Sequence, residues 1–157
     1  MNTEIQSIIS NLQAVLNGQP WYGRSMYEIL EEIDSAQVYE RPNNNHSLID
    51  LLYHMLTWAE FVRQRIAKEK VADMAAFEAL DWRPIDPAIH TWQIGLKALK
   101  KTHKQIVDLL QTKEDTFLEE KCDYREYNFR FLLNGLIQHN IYHLGQIAYL
   151  HKLQISE

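Results

Sequence analysis

Two histidines four residues apart are the residues with the clearest chemical potential in this sequence. His139 and His143 lie within an apolar run from Gly135 to Ile147. On an α-helix, positions i and i+4 share one face, so we expect the two imidazoles to point the same way. Neutral imidazoles at this spacing can supply two of the three protein ligands of an open metal site. The alternative is a pair of core histidines with satisfied hydrogen bonds.

Several other classes of site need residues that the sequence lacks. The zincin motif has Glu directly after its first histidine, whereas here that position is Asn140. A ferritin-like di-metal site uses Glu-x-x-His pairs, and no histidine of this chain has Glu three residues before it. A zinc ribbon needs several cysteines, and Cys122 is the single cysteine. A lone cysteine in a polar loop is more often incidental than a nucleophile.

A third ligand must come from another part of the chain, and His54 is the best candidate. It lies at the margin of an apolar helical stripe, near Trp58 and Phe61 in helical projection, where an imidazole can point into a crevice between helices. His103 competes with it, but a seam position on its own helix favours a core histidine bonded to a polar neighbour. The other histidines are predicted to lie at helix starts or off the shared face: His46, His90 and His151.

The spacing of apolar residues predicts the helices that position these side chains. We predict helices over about 5–16, 26–33, 47–69, 87–110 and 127–153, joined by linkers at about 70–86 and 112–127. Ser47 with Asp50 is typical of a capping box. Asp86 with Pro87 is typical of an N-cap followed by the first helical residue. The last helix is apolar nearly all the way round, which predicts a central position in a bundle or an additional subunit contact.

Composition limits the class of protein. A chain of 157 residues, 46% hydrophobic and 24% charged, is long enough for one globular domain. Only 5 Gly and 4 Pro favour long helices over a turn-rich β fold. A net charge of -5 without a basic block gives no indication of a nucleic acid or an anionic membrane as partner. With a single cysteine, no signal peptide pattern and no membrane-spanning run, we expect a cytoplasmic protein.

Several motifs together resemble the DinB/YfiT-like superfamily of helical metalloproteins, and their order and separation make the combination fairly specific. The motifs are Gly18–Gly23, Ser47–His54 and His139–Ile147, with Trp82 and Trp92 in the middle region. The resemblance implies an all-α four-helix bundle of down-up-up-down topology, with residues 1–157 as a single domain. It also implies that His54, His139 and His143 hold a divalent metal ion and that the chain forms a homodimer.

The resemblance implies several functions without selecting one. Some relatives are metal-dependent transferases of low-molecular-weight thiols such as bacillithiol, mycothiol or glutathione, and others are described as metal-dependent hydrolases. We therefore expect a small-molecule substrate and transfer of a low-molecular-weight thiol to an electrophile. Hydrolysis is one alternative, and a non-catalytic metal-binding or stress-response protein is another.

The chemistry of an open centre agrees with these functions. A three-histidine site can lower the pKa of a bound thiol or water, whereas a structural site is closed by a fourth protein ligand. Three imidazoles with water suit Zn, Ni, Fe or Mn. Tyr53, Trp58 and Tyr142 neighbour the ligands in sequence and are candidates to line a pocket. Asp50, one turn before His54, is a candidate to orient that imidazole, although its role as a helix cap is the simpler prediction.

Overall fold

The structure, a computed structural model, describes residues 2–34 and 36–156, which are predominantly helical. These two ranges contain six α-helices, two short 3-10 helices and one isolated β-bridge, and no β-strand. The α-helices are α1 (Thr3–Asn17), α2 (Met26–Glu32), α3 (Leu48–Ile66), α4 (Met74–Glu78), α5 (Trp92–Leu110) and α6 (Phe129–Ile155). The predicted all-α bundle is confirmed, since the four long helices α1, α3, α5 and α6 enclose a common hydrophobic core.

Side-chain caps define where the two helices that carry the predicted ligands begin. At α3, the hydroxyl of Ser47 accepts from the backbone N–H of Asp50, and the Asp50 carboxylate accepts from the backbone N–H of Ser47. This is the predicted capping box, and it satisfies two of the donors that a helix start leaves free. At α6, the side chain of Asn128 accepts from the backbone N–H of Phe131. Both helices that carry the predicted ligands therefore begin at fixed positions.

The prediction that Asp86 and Pro87 begin α5 is wrong. Asp86 instead begins a separate turn, and α5 begins at Trp92 with Thr91 as its capping residue. The backbone of Thr91 is extended, and its carbonyl accepts a hydrogen bond of 3.1 Å from the hydroxyl of Tyr53. The Thr91 side chain accepts from the backbone N–H of Ile94 and so caps α5 here, and the favourable start signal at residue 86 ends in its own turn.

The helix α3 lies at the centre and packs against both α5 and α6. Its contact with α5 is close at Gly95, where a Cβ would lie 2.8 Å from Cε2 of Tyr53 and 2.9 Å from Cδ2 of Leu52. Only glycine fits between these two buried side chains without displacement. The close packing fixes the position of α3, and therefore of His54, relative to the rest of the bundle.

The last helix, α6, is buried on one side and apolar but exposed on another. Its buried apolar residues are Phe129, Leu132, Leu133, Leu136, Leu144 and Ile147. Its exposed large apolar residues are Phe131, Ile141, Tyr142, Tyr149, Leu153 and Ile155. A central position in the bundle is therefore only part of the reason for its apolar pattern, and the homodimer stays a prediction.

Within residues 2–34 and 36–156, no helix combines the length and the apolar character that spanning a bilayer requires.

Candidate metal centre

Three histidines from two helices meet between α3 and α6. His54 projects from the second turn of α3, and His139 and His143 project from consecutive turns of α6. Their ligand atoms all lie within 4.8 Å of one another, and no further histidine, cysteine or carboxylate of the described residues joins the group. The structure thus brings together the three residues that the sequence predicted as metal ligands.

The distances between the imidazole nitrogens suit a single shared ion. Nε2 of His54 lies 3.0 Å from Nε2 of His139 and 3.0 Å from Nε2 of His143. With metal–nitrogen distances of about 2.0–2.1 Å, two nitrogens on one ion lie roughly 3.0–3.4 Å apart, depending on the coordination geometry. The three nitrogens therefore fit a divalent ion.

Hydrogen bonds on the far side of two rings determine which nitrogen carries the proton. Nδ1 of His54 lies 2.8 Å from Oδ1 of Asp81 and 3.2 Å from the Asp81 carbonyl oxygen. Both partners only accept, so Nδ1 is the protonated nitrogen of His54. Nδ1 of His143 likewise lies 2.6 Å from the side-chain oxygen of Gln146 and donates to it. In both neutral rings the lone pair is therefore on Nε2.

The position of the two lone pairs indicates a binding site for a cation between the rings of His54 and His143. The lone pairs of His54 and His143 face each other across 3.0 Å, and two acceptors at that distance repel unless a positive charge lies between them. Nδ1 of His139 is buried and has no hydrogen-bond partner among the described residues, so its tautomer is not fixed in the same way. The donor set consists of three imidazoles, which are favourable ligands for borderline divalent metals.

Burial keeps all three imidazoles neutral at neutral pH. Burial, together with the neighbouring His143 and His54, lowers the pKa of His139 to about 4. Burial also lowers the pKa of His54 and the pKa of His143, although Asp81 and Gln146 oppose the shift. Since metal binding needs unprotonated imidazoles, these shifts favour ligation. They also argue against a shared proton as the cation between the rings.

The linker between α3 and α5 closes one side of the centre. The hydroxyl of Thr57 donates to the carbonyl of Leu80, which places the next two residues beside α3. The Asp81 carboxylate accepts from Nε1 of Trp58 at 2.6 Å as well as from His54. Sequence reasoning missed Asp81. Its only signal in the sequence is its position next to Trp82, which the resemblance had singled out.

Trp82 lies between two imidazoles in a layered stack. Its ring is 3.9 Å from that of His54, with 4° between the planes, and 3.7 Å from that of His46, with 9° between the planes. The ring of His54 is therefore fixed by a carboxylate at one edge and an indole on one face. His46, predicted as a surface or capping residue, is an exposed residue that covers the indole.

Asp50 does not orient His54. Its carboxylate accepts from Ser47 in the capping box and pairs with Arg41 at 2.8 Å. The simpler prediction of a helix cap is thus confirmed, and Asp81 supplies the carboxylate that holds His54. Asp81 comes from the linker and not from the preceding turn of the same helix.

The other titratable candidates lie outside the centre. His103 is fully buried, with Nδ1 3.0 Å from the Tyr27 hydroxyl and Nε2 3.4 Å from Nδ2 of Asn140. The prediction of a core histidine with polar partners is confirmed. His90 accepts from the backbone N–H of Asp86 at the start of its turn. Burial raises the pKa of the Cys122 thiol, which argues against a reactive thiolate.

A cavity of about 490 Å³ opens beside the three histidines. Trp58 and Tyr142 line it, as the sequence predicted, whereas Tyr53 is buried between α3 and α5 and is not part of its wall. The candidate centre therefore faces a space of the size that small-molecule sites occupy, about 300–1,000 Å³.

Fold and centre together define a class of protein: a helical bundle in which one helix supplies one histidine and another supplies two. A family model described as the DinB superfamily matches residues 23–147, which include all three histidines. The chain belongs to the DinB superfamily, as the motifs predicted. A comparison with curated proteins finds no match to the chain.

Proposed function

We propose that His54, His139 and His143 hold a divalent metal ion and that the protein transfers a low-molecular-weight thiol to an electrophilic small molecule. The observation that carries the proposal is the convergence of three imidazole Nε2 atoms, those of His54 and His143 unprotonated, at the edge of a cavity. An ion bound there lowers the pKa of a thiol that occupies one of its remaining positions.

The ligand count supports an open centre over a structural one. Three histidines form the group, and Asp81 contacts the opposite edge of the His54 ring, where it cannot also be a ligand of the same ion. His103 is bonded to Tyr27 and Asn140. A site with three protein ligands keeps positions free for substrate, which is the arrangement of catalytic centres.

The chain's own residues would position the reactants. Asp81 and Trp82 hold His54, Gln146 holds His143, and the cavity wall presents apolar side chains beside the ligands. In the proposed reaction the thiol sulfur forms a bond to the electrophilic carbon as that carbon loses its leaving group. The thiol proton passes to solvent.

Metal content and turnover test the proposal together. We expect the purified protein to bind close to one equivalent of Zn²⁺ or Ni²⁺, and the triple variant His54→Ala, His139→Ala, His143→Ala to bind none. The loaded protein should conjugate glutathione, bacillithiol or cysteine to a haloalkyl or epoxide electrophile, and the triple variant should not. Electrophile consumption that does not depend on thiol would indicate the hydrolase alternative. Full metal loading without turnover of either kind would indicate a non-catalytic metal protein.

A further inference from the structure

The cavity beside the histidines has a polar end and an apolar wall. The three histidines and Asp81 form the polar end. Side chains of α3 and α6 form most of the remainder, among them Trp58, Phe61, Leu132 and Leu136. Ligand sites of this kind are largely apolar with a few placed polar groups, which fix the orientation of the ligand.

The wall offers no positive charge. Among the described residues that line the cavity there is no lysine and no arginine, and its one carboxylate, Asp81, is occupied by His54 and Trp58. Away from the histidine end, where the proposed metal ion would lie, a carboxylate, phosphate or sulfonate inserted against the apolar wall would lose hydration without gaining a counter-ion, which is costly. The charges of the lining residues therefore disfavour an anionic group in the part of a ligand that contacts the apolar wall.

Gly135 leaves part of this space open. It lies in the interior of α6, one turn before His139, and lines the cavity. A Cβ built at Gly135 would have no atom within 4 Å, so no close helix contact requires glycine here. Glycine in a helix interior costs roughly 0.5–1 kcal/mol relative to alanine. Since no packing contact requires glycine at position 135, its role is to leave this part of the cavity open.

Aromatic side chains extend the apolar surface to the mouth of the cavity. Phe131 and Tyr142 line it while 64% and 65% exposed, which is unusual for large apolar residues at a solvent boundary. An apolar ligand can therefore remain in contact with rings from the mouth to the histidines.

From these observations we propose that the cavity receives an uncharged apolar group, aromatic or branched aliphatic, as the electrophilic partner in the reaction. The assignment of this group as substrate rests on the proposed function. Charged groups of the thiol then lie outside the part of the cavity that the apolar side chains line. The proposal concerns the cavity, so the metal-free protein can test it.

Two matched fluorescent probes test the charge preference. N-phenyl-1-naphthylamine is neutral, and 8-anilinonaphthalene-1-sulfonate has the same ring system with an added sulfonate. We expect saturable binding of the neutral probe to the metal-free protein, and binding of the sulfonate at least about tenfold weaker. Equal or tighter binding of the sulfonate would overturn the proposal.

Two glycine variants test the location. Gly135→Leu should weaken binding of the neutral probe at least about tenfold by filling the cavity, and Gly135→Ala should weaken it less. Gly145→Leu is the matched control, because Gly145 is on the same helix, also has no atom within 4 Å of a built Cβ, and does not line this cavity. Helix content and thermal unfolding check that each variant folds. Unchanged binding in both Gly135 variants, or equal loss in Gly145→Leu, would overturn the proposal.

The same variants separate this proposal from the proposed function. Gly135→Ala should bind metal like the wild type, since its side chain is not a ligand. Neutral-probe binding in a protein that takes up no metal would contradict the metal centre and leave the apolar site standing. Metal uptake without neutral-probe binding would contradict the apolar site and leave the metal centre standing.

Discussion

Oδ1 of Asp81 lies 2.8 Å from Nδ1 of His54, although the two residues are 27 positions apart and in different elements. The contact fixes the proton of His54 on Nδ1 and its lone pair on Nε2, which faces the other two histidines. Carboxylates that hold a ligand imidazole in this way commonly increase its basicity and fix its orientation.

We predict that Asp81→Asn weakens metal binding. Asparagine can still accept from His54, but it removes the negative charge that favours the ligating form of the ring. Loss of such a partner typically costs about 10–100-fold in metal affinity. Competition with a chelating indicator would measure the Zn²⁺ dissociation constant of the variant and the wild type.

Asp123→Asn is the control for this substitution. Asp123 is also a linker aspartate, but it is exposed and lies outside the histidine group. Its removal makes the same change in net charge, so it should leave the affinity within about twofold. If Asp123→Asn weakens Zn²⁺ binding as much as Asp81→Asn does, the loss of affinity comes from the change in net charge. The contact between Asp81 and His54 would then make no contribution of its own to metal binding.

Trp82 should report metal binding. Its indole stacks on His54 with 3.9 Å between ring centroids, so an ion on His54 comes close enough to quench its emission. We expect Ni²⁺ to quench part of the tryptophan fluorescence of the wild type, and Trp82→Phe to remove most of that change. Trp21→Phe is the control, because Trp21 is fully exposed. Trp58 also lines the cavity beside the histidines, so an undiminished response in both Trp82→Phe and Trp58→Phe would show that the ion binds elsewhere.

The histidines of the site could be predicted from the sequence because helices give residue types a regular spatial meaning. The i, i+4 spacing places His139 and His143 on one face, and the chain-wide resemblance identified His54. The capping box at Ser47 could be predicted for the same reason, since it depends only on residues within one turn. Local signals of this kind need no knowledge of the tertiary structure.

The parts that could not be predicted depend on contacts between distant segments. Asp81 lies in an irregular linker, where residue spacing gives no direction in space, and it reaches the site through hydrogen bonds to α3. The helix α5 begins at Trp92, where Thr91 caps it and the Thr91 carbonyl also accepts from the Tyr53 hydroxyl of α3. Asp86 and Pro87 formed a good local signal, but they begin a separate turn, and Thr91, which also contacts α3, caps the helix instead.

Three helical glycines should respond differently to the same substitution. Gly95→Ala places a methyl group 2.8 Å from the buried ring of Tyr53, and overpacking of this kind costs about 1–3 kcal/mol. That exceeds the roughly 1 kcal/mol which alanine gains in helix propensity. Gly135→Ala and Gly145→Ala meet no atom within 4 Å and should stabilise the protein by about 0.5–1 kcal/mol each.

Urea unfolding of the three alanine variants measures these differences in the free energy of unfolding. We expect the free energy of unfolding of Gly95→Ala to be lower than that of the wild type, and those of Gly135→Ala and Gly145→Ala to be higher. A stabilised Gly95→Ala variant would contradict the close approach of α3 and α5. Destabilised Gly135→Ala and Gly145→Ala variants would show that these positions have packing contacts in the folded protein.

His103 should make stability depend on pH. Complete burial lowers its pKa from the ordinary value of 6.5 to about 3 in the folded protein. Its neighbours from the other helices, Tyr27 and Asn140, are uncharged and do not compensate a proton on the ring. The unfolded chain therefore takes up a proton that the folded chain does not, over the range between about 3 and 6.5.

The direction in which stability changes with pH follows from that difference in proton uptake. This contribution to stability is fully present above pH 6.5 and is lost as the pH falls towards 3, with a slope of at most about 1.4 kcal/mol per pH unit. His103→Gln keeps a buried hydrogen-bonding group without the titration. Its free energy of unfolding, measured on metal-free protein from pH 8 to pH 4, should fall less steeply than that of the wild type. The three site histidines titrate in both proteins, so they do not contribute to a difference between the two. If the free energy of unfolding depends on pH in the same way in both proteins, His103 is able to take up a proton in the folded state.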